Sequence, residues 1–197
     1  MVHCAVLIAT GISIEGHRSV LGVSVSLSEA EIHWRNFLSV LKERGLHGVT
    51  MITSDQHQGL KAAQKSVLNG VSWNRNHVHL QRNASAYVPK VAMRSAVALD
   101  ISNILSEPNR TEARRLLDLT VEKYRFKAPL LASWIKDNIP EGLTVFMLPD
   151  ALRRRLRTTN MLERLNREIK RRTRVASLFP NEASWLRLVS AILMKTS

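Results

Sequence analysis

The sequence predicts a mixed α/β fold with a mostly helical segment inserted in its second half. Apolar runs of strand length lie in the first 80 residues, segments with helical spacing separate them, and a strongly basic helix follows the helical segment. Strands that alternate with helices are typical of α/β sheets, whose functional residues lie at the strand ends. We therefore expect the polar residues that directly follow the strands to form the site.

The N-terminal region is predicted to form a β-hairpin and one helix. Residues Ala5 to Ile12 form a continuous apolar run, and Ser19 to Val25 resumes it after a turn at Gly16. Two such runs joined by a short turn are typical of a hairpin. Ser28 and Glu31 then have the spacing of a capping box, followed by apolar residues at helical intervals. A helix is therefore predicted to begin at Ser28.

Asp55 follows Ser54 at the end of a third predicted strand, Val49 to Thr53. A carboxylate at the end of a buried strand is a familiar position for a metal ligand in α/β folds. The structural alternative is that Asp55 caps the helix predicted from Gly59 to Leu68 or closes a turn with His57. Asp55 is therefore a candidate ligand that needs a second carboxylate elsewhere in the chain.

A fourth strand is predicted from Trp73 to Leu80, where polar and apolar residues alternate. His77 and His79 would face the same side of such a strand, because side chains two residues apart share a face. The pair fits either a metal site or two histidines with structural hydrogen bonds. A third ligand nearby would be needed to favour the metal.

The region from Val88 to Asn138 is predicted to be mostly helical, with breaks at Pro108 and Pro129. A short apolar piece, Thr144 to Met147, leads into the basic helix. Three segments follow from this division: residues 1–87 with the strands, residues 88–142 as a helical insertion, and residues 143–197, which return to the first domain with the basic helix.

Residues 157–174, RTTNMLERLNREIKRRTR, are predicted to form an amphipathic helix. An apolar face has helical spacing and can pack on a core: Leu162, Leu165 and Ile169. A second, polar face has the same spacing: Glu163, Asn166 and Lys170. Between Arg153 and Arg174 there are ten basic residues and two acidic ones. This is either a solvated helix with ion pairs such as Glu163 with Arg167, or a surface for a polyanion; the excess of charge favours the polyanion.

The composition of the whole chain favours a nucleic-acid partner. Lysine and arginine number 29 against 16 aspartate and glutamate, which leaves a formal charge of +13 and a pI near 10.9. Such basic chains usually bind nucleic acid or an anionic membrane. A membrane is not expected, since no apolar stretch approaches the roughly 18 residues that a span requires. The single cysteine cannot form an internal disulfide or a zinc cluster, and no signal peptide is recognised, so we expect a cytoplasmic, nucleoid-associated protein.

Four blocks, in this order, resemble the Mutator-type transposases of bacterial insertion sequences. They begin at Gly16 (GHRSVLGVSVSLSEAEIHWRNFLSVLKERGLHGV), Ser54 (SDQHQGLKAA), Trp73 (WNRNHVHLQRN) and Arg153 (RRRLRTTNMLERLNREIKRRTRVASLFPNEASWLRLV). The resemblance covers essentially the whole chain. Each block alone would be a weak signal, whereas their joint occurrence in order is highly specific.

The resemblance implies an RNase H-like catalytic domain with a DDE carboxylate triad and a helical insertion before the last catalytic helix. By motif match, Asp55 corresponds to the second Asp of the triad and Glu163 to its Glu. These two carboxylates would be catalytic and would hold Mg²⁺ or Mn²⁺ in a two-metal site. The implied function is transposition of an insertion element by cleavage and strand transfer of double-stranded DNA, with a homo-oligomer expected.

Further residues match positions around this triad. Lys170 matches a basic residue that the family keeps seven positions after the Glu, where it suits a DNA phosphate. Asn160, Asn166 and His79 are expected to support the site. Seven further basic residues are expected to contact the DNA backbone: Arg153, Arg154, Arg155, Arg157, Arg171, Arg172 and Arg174.

The chain departs from the family pattern in two respects. The family places its first catalytic Asp on a strand before the segment that matches Val6 to Ile12, and it continues beyond Ser197, so we expect a copy truncated at both ends that lacks strand transfer by itself. Asn76 also replaces a family Cys, which removes a thiolate but permits hydrogen bonding. The alternative function is a non-catalytic DNA-binding remnant or inhibitor of a full-length transposase; a basic structural or ribosome-associated protein ranks last.

Overall fold

The computed structural model shows a mixed α/β fold, as predicted, and it describes residues 5–156, 160–173, 186–187 and 190–191. The chain divides into two compact units. Unit 1 comprises Met1–Thr50, Gln56–Val71 and Thr159–Ser197, whereas unit 2 comprises Met51–Asp55 and Ser72–Thr158. Each unit therefore combines segments that are far apart in the sequence.

Unit 1 begins with the predicted β-hairpin, formed by β1 (Ala5–Ile12) and β2 (Arg18–Ser26). The two strands are antiparallel, with a shift of register between Ala9 and Thr10. The turn passes through Gly16, whose φ of 86° lies in the left-handed region that favours glycine. The hairpin prediction is thus confirmed.

Two helices of unit 1, α1 (Glu31–Glu43) and α2 (Gln58–Val67), pack against each other, and α1 also contacts β2. Glycines permit both approaches. A Cβ at Gly22 would lie 2.7 Å from the Cδ2 of buried Leu41, and a Cβ at Gly59 would lie 2.9 Å from a backbone nitrogen at the start of α1. Side chains at these two positions would push the elements apart.

The capping box predicted at Ser28 is wrong. Ala30 is the N-cap of α1, has extended backbone angles and makes no side-chain capping bond. The Ser28 hydroxyl oxygen instead accepts a hydrogen bond from the Ala30 amide at 3.3 Å, and Glu31 pairs with Arg35. A serine hydroxyl that bonds the amide two residues on forms a local turn, which competes with helix capping.

The basic helix is confirmed as α8 (Asn160–Thr173). Its Leu165 and Ile169 side chains are buried and pack with apolar residues of the β-hairpin: Val6, Ile8, Val20 and Val23. The spacing of four residues places both on one face of the helix. Apolar burial therefore fixes which face of α8 covers the hairpin within unit 1.

Unit 2 contains a parallel pair of short strands, β3 (Met51–Ser54) and β4 (Ser72–Arg75), in which Ser54 lies opposite Arg75. The strand predicted from Trp73 to Leu80 is therefore wrong in its second half, since α3 (His77–Ala84) occupies it. Asn76 caps that helix, and this local bond ends the strand. The alternation of polar and apolar residues continues past Asn76 into α3, so it does not indicate where the strand ends and the helix begins.

The rest of unit 2 is helical, as predicted. Its helices are α4 (Arg94–Ser106), α5 (Arg110–Tyr124), α6 (Pro129–Asn138) and α7 (Asp150–Leu156). The breaks at Pro108 and Pro129 are confirmed, with Pro129 at the first position of α6, where its missing N–H costs nothing. Short 3₁₀ turns form Ile139–Gly142 and Thr144–Met147. Fully buried side chains such as Ile101, Ile104, Leu131 and Ile135 make the core between the helices.

Candidate functional site

Asp55 lies immediately after β3, at the carboxyl end of the parallel strand pair. Its side chain is 50% exposed, so solvent and ligands can reach the carboxylate. The alternative that Asp55 caps α2 is wrong, because His57 is the N-cap and its Nδ1 accepts a hydrogen bond from the Leu60 amide at 3.2 Å. The carboxylate of Asp55 is therefore not engaged in capping α2.

Asn76 joins the Asp55 carboxylate to the start of α3. The side chain is fully buried; its Oδ1 accepts a hydrogen bond from the Val78 amide at 3.1 Å, and its Nδ2 donates to Asp55 Oδ1 at 3.2 Å. Its backbone N–H donates to the Ser54 carbonyl at 2.9 Å, which ties it to the end of β3. An amide offers an acceptor and a donor together, so one asparagine makes both bonds.

His79 approaches the second oxygen of the same carboxylate. Its Nε2 lies 3.3 Å from Asp55 Oδ2, and its side chain is 30% exposed. His79 comes three residues after Asn76, so the two side chains lie on one side of the first turn of α3. A carboxylate oxygen can only accept, and we therefore assign a proton to Nε2. The structure thus brings together Asp55, Asn76 and His79.

His77 does not share this site, and the prediction that His77 and His79 face the same side is wrong. The Nε2 of His77 donates to the Gly142 carbonyl at 2.8 Å, and the side chain is buried. Two residues apart on a helix are separated by about 200°, whereas on a strand they share a face. His77 is therefore a structural residue of unit 2.

Arg75 is a buried anchor next to the site that the sequence analysis did not identify. It is 1% exposed and donates to Asn138 Oδ1 at 2.9 Å and to Glu141 Oε2 at 3.1 Å. Its guanidinium also lies 5.9 Å from the centroid of the Trp134 ring. These bonds hold the end of β4, and with it Asn76, against α6 and the 3₁₀ turn that follows. The sequence feature that could have indicated a buried Arg75 is the run of polar residues, Asn74 to Asn76, at the end of a short strand.

Glu163 belongs to α8 in unit 1, whereas Asp55 belongs to unit 2. The Glu163 side chain is half-buried, in the first turn of α8, and Asn166 on the same helix is exposed. The burial of Leu165 and Ile169 against the hairpin sets the rotation of the helix and so the direction of this polar face. Asn160 is the first residue of α8.

The basic residues of α7 differ in their surroundings. Arg153 is 14% exposed, pairs with Asp150, donates to the Pro108 carbonyl at 2.7 Å, and places its guanidinium 4.9 Å from the centroid of the Phe146 ring. Arg154 and Arg155 are exposed. Arg153 is therefore engaged inside unit 2, while the next two arginines reach solvent.

On α8, Arg171 is exposed and makes two bonds to Glu168, at 3.0 and 2.8 Å, and this carboxylate raises the pKa of Arg171. Ion pairing along the helix is thus present, as the solvated-helix alternative requires. Lys170 and Arg172 lie on α8. Arg157 and Arg174 lie outside the described residues.

In the part of the chain that the structure describes, no three His, Cys, Asp or Glu side chains are grouped so that they could hold a metal ion. No helix among those residues has the length and apolar character that a membrane span needs.

The fold and the site define a strongly basic α/β protein with a carboxylate, Asp55, at the end of a parallel strand pair, where Asn76 and His79 each contact one of its oxygens. The chain belongs to the Mutator family of transposases, which it matches over residues 1–197. It is 55% identical over 193 residues to the transposase for insertion sequence element IS406 of Burkholderia multivorans, with 98% of this chain and 50% of the relative covered.

Two further relatives show how the similarity extends. The transposase for ISRM5 of Rhizobium meliloti is 40% identical over 192 residues, covering 98% of this chain and 48% of the relative. The transposase for IS256 in transposon Tn4001 of Staphylococcus aureus is 32% identical over 189 residues, covering 95% and 48%. The chain thus spans about half the length of the curated relatives it matches.

Proposed function

We propose that this chain carries part of the catalytic centre of a transposase, which moves an insertion element by metal-dependent DNA cleavage and strand transfer. The main support is the arrangement around Asp55, where a buried amide and an imidazole each meet one oxygen of an accessible carboxylate. Groups held by hydrogen bonds before substrate arrives reduce the cost of positioning during the reaction. Asp55 is therefore proposed as a catalytic carboxylate, with Asn76 and His79 as positioning residues.

Glu163 is proposed as the partner carboxylate, supplied by α8. Its place on a helix that is fixed by apolar burial against the hairpin supports this role, because the polar face is then held in one direction. Asn160 and Asn166, on the same helix, are proposed to support it. In this proposal the two carboxylates bind metal and orient the reacting groups, while the attacking 3′-hydroxyl and the scissile phosphate come from DNA.

The donor set suits a hard divalent ion. Asp55 offers an accessible carboxylate, the ligand type that Mg²⁺ prefers, and Glu163 offers another. A bound Mg²⁺ or Mn²⁺ would supply charge stabilisation to the phosphoryl oxygens. The contribution of the chain itself is to hold the Asp55 oxygens in place through Asn76 and His79.

An RNase H-like sheet is the proposed parent fold. The described residues contain two separate two-stranded sheets, one antiparallel (β1 and β2) and one parallel (β3 and β4). The proposal rests on the family resemblance, which implies one more strand between β1 and β3. We propose residues 1–87 and 143–197 as the catalytic domain and residues 88–142 as its helical insertion.

Basic side chains outside the carboxylates are proposed to hold the DNA backbone. Arg154, Arg155 and Arg171 are exposed, whereas Arg153 is engaged within unit 2 and is better placed to hold α7 than to contact phosphate. Lys170, Arg172, Arg157 and Arg174 are proposed as further contacts from their positions in the sequence. Such contacts give affinity that falls with salt and carries no sequence preference.

The test is a transposition assay with the transposase reading frame that contains these residues. Asp55→Ala and Glu163→Ala should each abolish transposition, because metal positioning needs both carboxylates. Glu43→Ala, which removes an exposed carboxylate at the end of α1 with no proposed role in the site, is the matched control and should retain most activity. Transposition that survives both carboxylate substitutions would overturn the proposal. DNA binding that persists in a chain with no metal-dependent chemistry would favour the non-catalytic alternative.

A further inference from the structure

The corner between α5 and α6 carries basic and aromatic residues in alternation that the proposed function does not use. Residues 123–127 read Lys-Tyr-Arg-Phe-Lys. Four of the five side chains are exposed, and Tyr124 is buried beneath them. Alternating cations and aromatic rings on a surface are typical of sites that bind nucleic acid through phosphates and stacked bases.

An open cavity of about 430 Å³ lies beside this corner, within unit 2. Its lining combines three amino groups with an apolar floor: Lys90, Lys123 and Lys127 with Met93, Ala96 and Tyr124. Lys90 and Lys127 are exposed, and neither has a carboxylate within 4.0 Å among the residues that the structure describes. Three cations around one concavity produce a positive potential that attracts an anion.

One wall of the cavity is held by a carboxylate. Asp100 Oδ2 accepts hydrogen bonds from Lys123 Nζ at 2.6 Å and from the Tyr124 hydroxyl at 2.5 Å. Burial and the neighbouring Asp100 raise the pKa of Tyr124 well above its ordinary value, so the phenol stays neutral and donates. Asp100 therefore offsets the charge of Lys123 but leaves those of Lys90 and Lys127.

Phe126 projects from the same corner and is 86% exposed. The Arg125 guanidinium lies 5.4 Å from the centroid of its ring, and Lys127 follows in the sequence. Most of the ring remains accessible despite the Arg125 contact. An aromatic ring with adjacent cations can stack on a base whose phosphates the cations bind.

We propose that this corner is a second DNA contact, in which Phe126 stacks on an unpaired base and Lys90 and Lys127 bind the flanking phosphates. The inference rests on the proposed function for its polynucleotide partner. It adds a DNA contact in the helical insertion that uses none of the arginines of α7 and α8. Charge favours DNA over an apolar protein partner, because three cations surround the cavity. An unpaired strand fits better than a duplex, in which the bases are stacked and inaccessible to Phe126.

Binding of a fluorescently labelled single-stranded oligonucleotide, followed by anisotropy over a range of salt, tests the site in the 197-residue chain. Lys90→Gln and Lys127→Gln should each make the slope of log K against log salt shallower by about 0.7, the value for one phosphate contact on a single strand. Lys136→Gln, an exposed lysine of α6 that does not line the cavity, should leave the slope unchanged.

Phe126→Ala should weaken single-strand binding at least about fivefold at constant salt slope, since stacking on an aromatic ring is independent of charge. The matched control is Leu119→Ala, which removes an exposed apolar side chain of α5 and should have no effect. Duplex binding should change little with Phe126→Ala.

Three results separate the possibilities. If Arg154→Gln weakens binding while the lysine and Phe126 variants match wild type, this inference is overturned and the proposed function stands. If the wild-type chain binds neither strand nor duplex, both are overturned. If Phe126→Ala changes self-association and not DNA binding, the corner is a protein contact and the DNA assignment is wrong.

Discussion

Replacing Asn76 by alanine tests the contact that organises the candidate site. The substitution removes the N-cap of α3, worth about 1 kcal/mol, and the hydrogen bond to Asp55, worth about another 1 kcal/mol. We therefore expect the free energy of unfolding to fall by about 2 kcal/mol. In a chain of this length that loss corresponds to a decrease in Tm of about 4 to 8 °C.

Asn109→Ala is the matched control, measured alongside Asn76→Ala by thermal and urea unfolding. Asn109 caps α5 and is exposed, and its Oδ1 accepts a hydrogen bond from the Glu112 amide at 2.9 Å; among the described residues its side chain has no hydrogen bond to a second side chain. Removing it should cost about 1 kcal/mol, or about 2 to 4 °C in Tm. The difference between the two variants then measures what Asn76 contributes beyond capping.

A double-mutant cycle assigns that difference to Asp55. The coupling energy between Asn76→Ala and Asp55→Ala should be about 0.5 to 1.5 kcal/mol, the range for one net hydrogen bond. A coupling energy near zero, together with equal costs for Asn76→Ala and Asn109→Ala, would refute the reasoning. Asn76 would then be a helix cap alone, without a positioning role for the carboxylate.

Two further predictions concern packing and ionisation. Gly22→Ala should destabilise unit 1 by about 1 to 3 kcal/mol in urea unfolding, because its Cβ would lie 2.7 Å from Leu41 Cδ2; Leu41→Val in that background should recover part of the loss. In a Tyr87→Phe background, absorbance titration should show Tyr124 ionising above its ordinary range, and Asp100→Asn should lower that pKa in part, since burial remains. Stability should fall as pH rises past 10, because the unfolded phenol loses its proton before the folded one. Ionisation of Tyr124 at its ordinary pKa, or full stability of Gly22→Ala, would contradict these expectations.

Local patterns predicted the elements whose stability depends on one face. The β-hairpin follows from two apolar runs and a glycine turn, and α8 follows from Leu165 and Ile169 at a spacing of four. Both patterns report burial against a neighbour, and the structure buries these residues. Periodicity is therefore reliable where one continuous face meets a core.

The same reasoning failed where a single polar side chain decided the backbone. Alternation from Trp73 to Leu80 fits a strand, but the Asn76 side chain caps α3 and ends β4 four residues after it began. The bond from Asn76 to Asp55 joins residues 21 positions apart, so no local pattern contains it. Arg75 was missed for a related reason, because its partners lie more than 60 residues away.

From the amino-acid sequence alone come the positive charge, the α/β class, the family resemblance and the choice of Asp55 and Glu163 as candidates. Each depends on residue identity or on spacing within one element. Tertiary structure decided which groups contact the Asp55 carboxylate, namely Asn76 and His79. It also decided that His77 bonds the Gly142 carbonyl and that Arg153 pairs within unit 2. The physical reason is that hydrogen bonds between distant segments depend on how the strands and helices pack, and packing is a property of the folded chain.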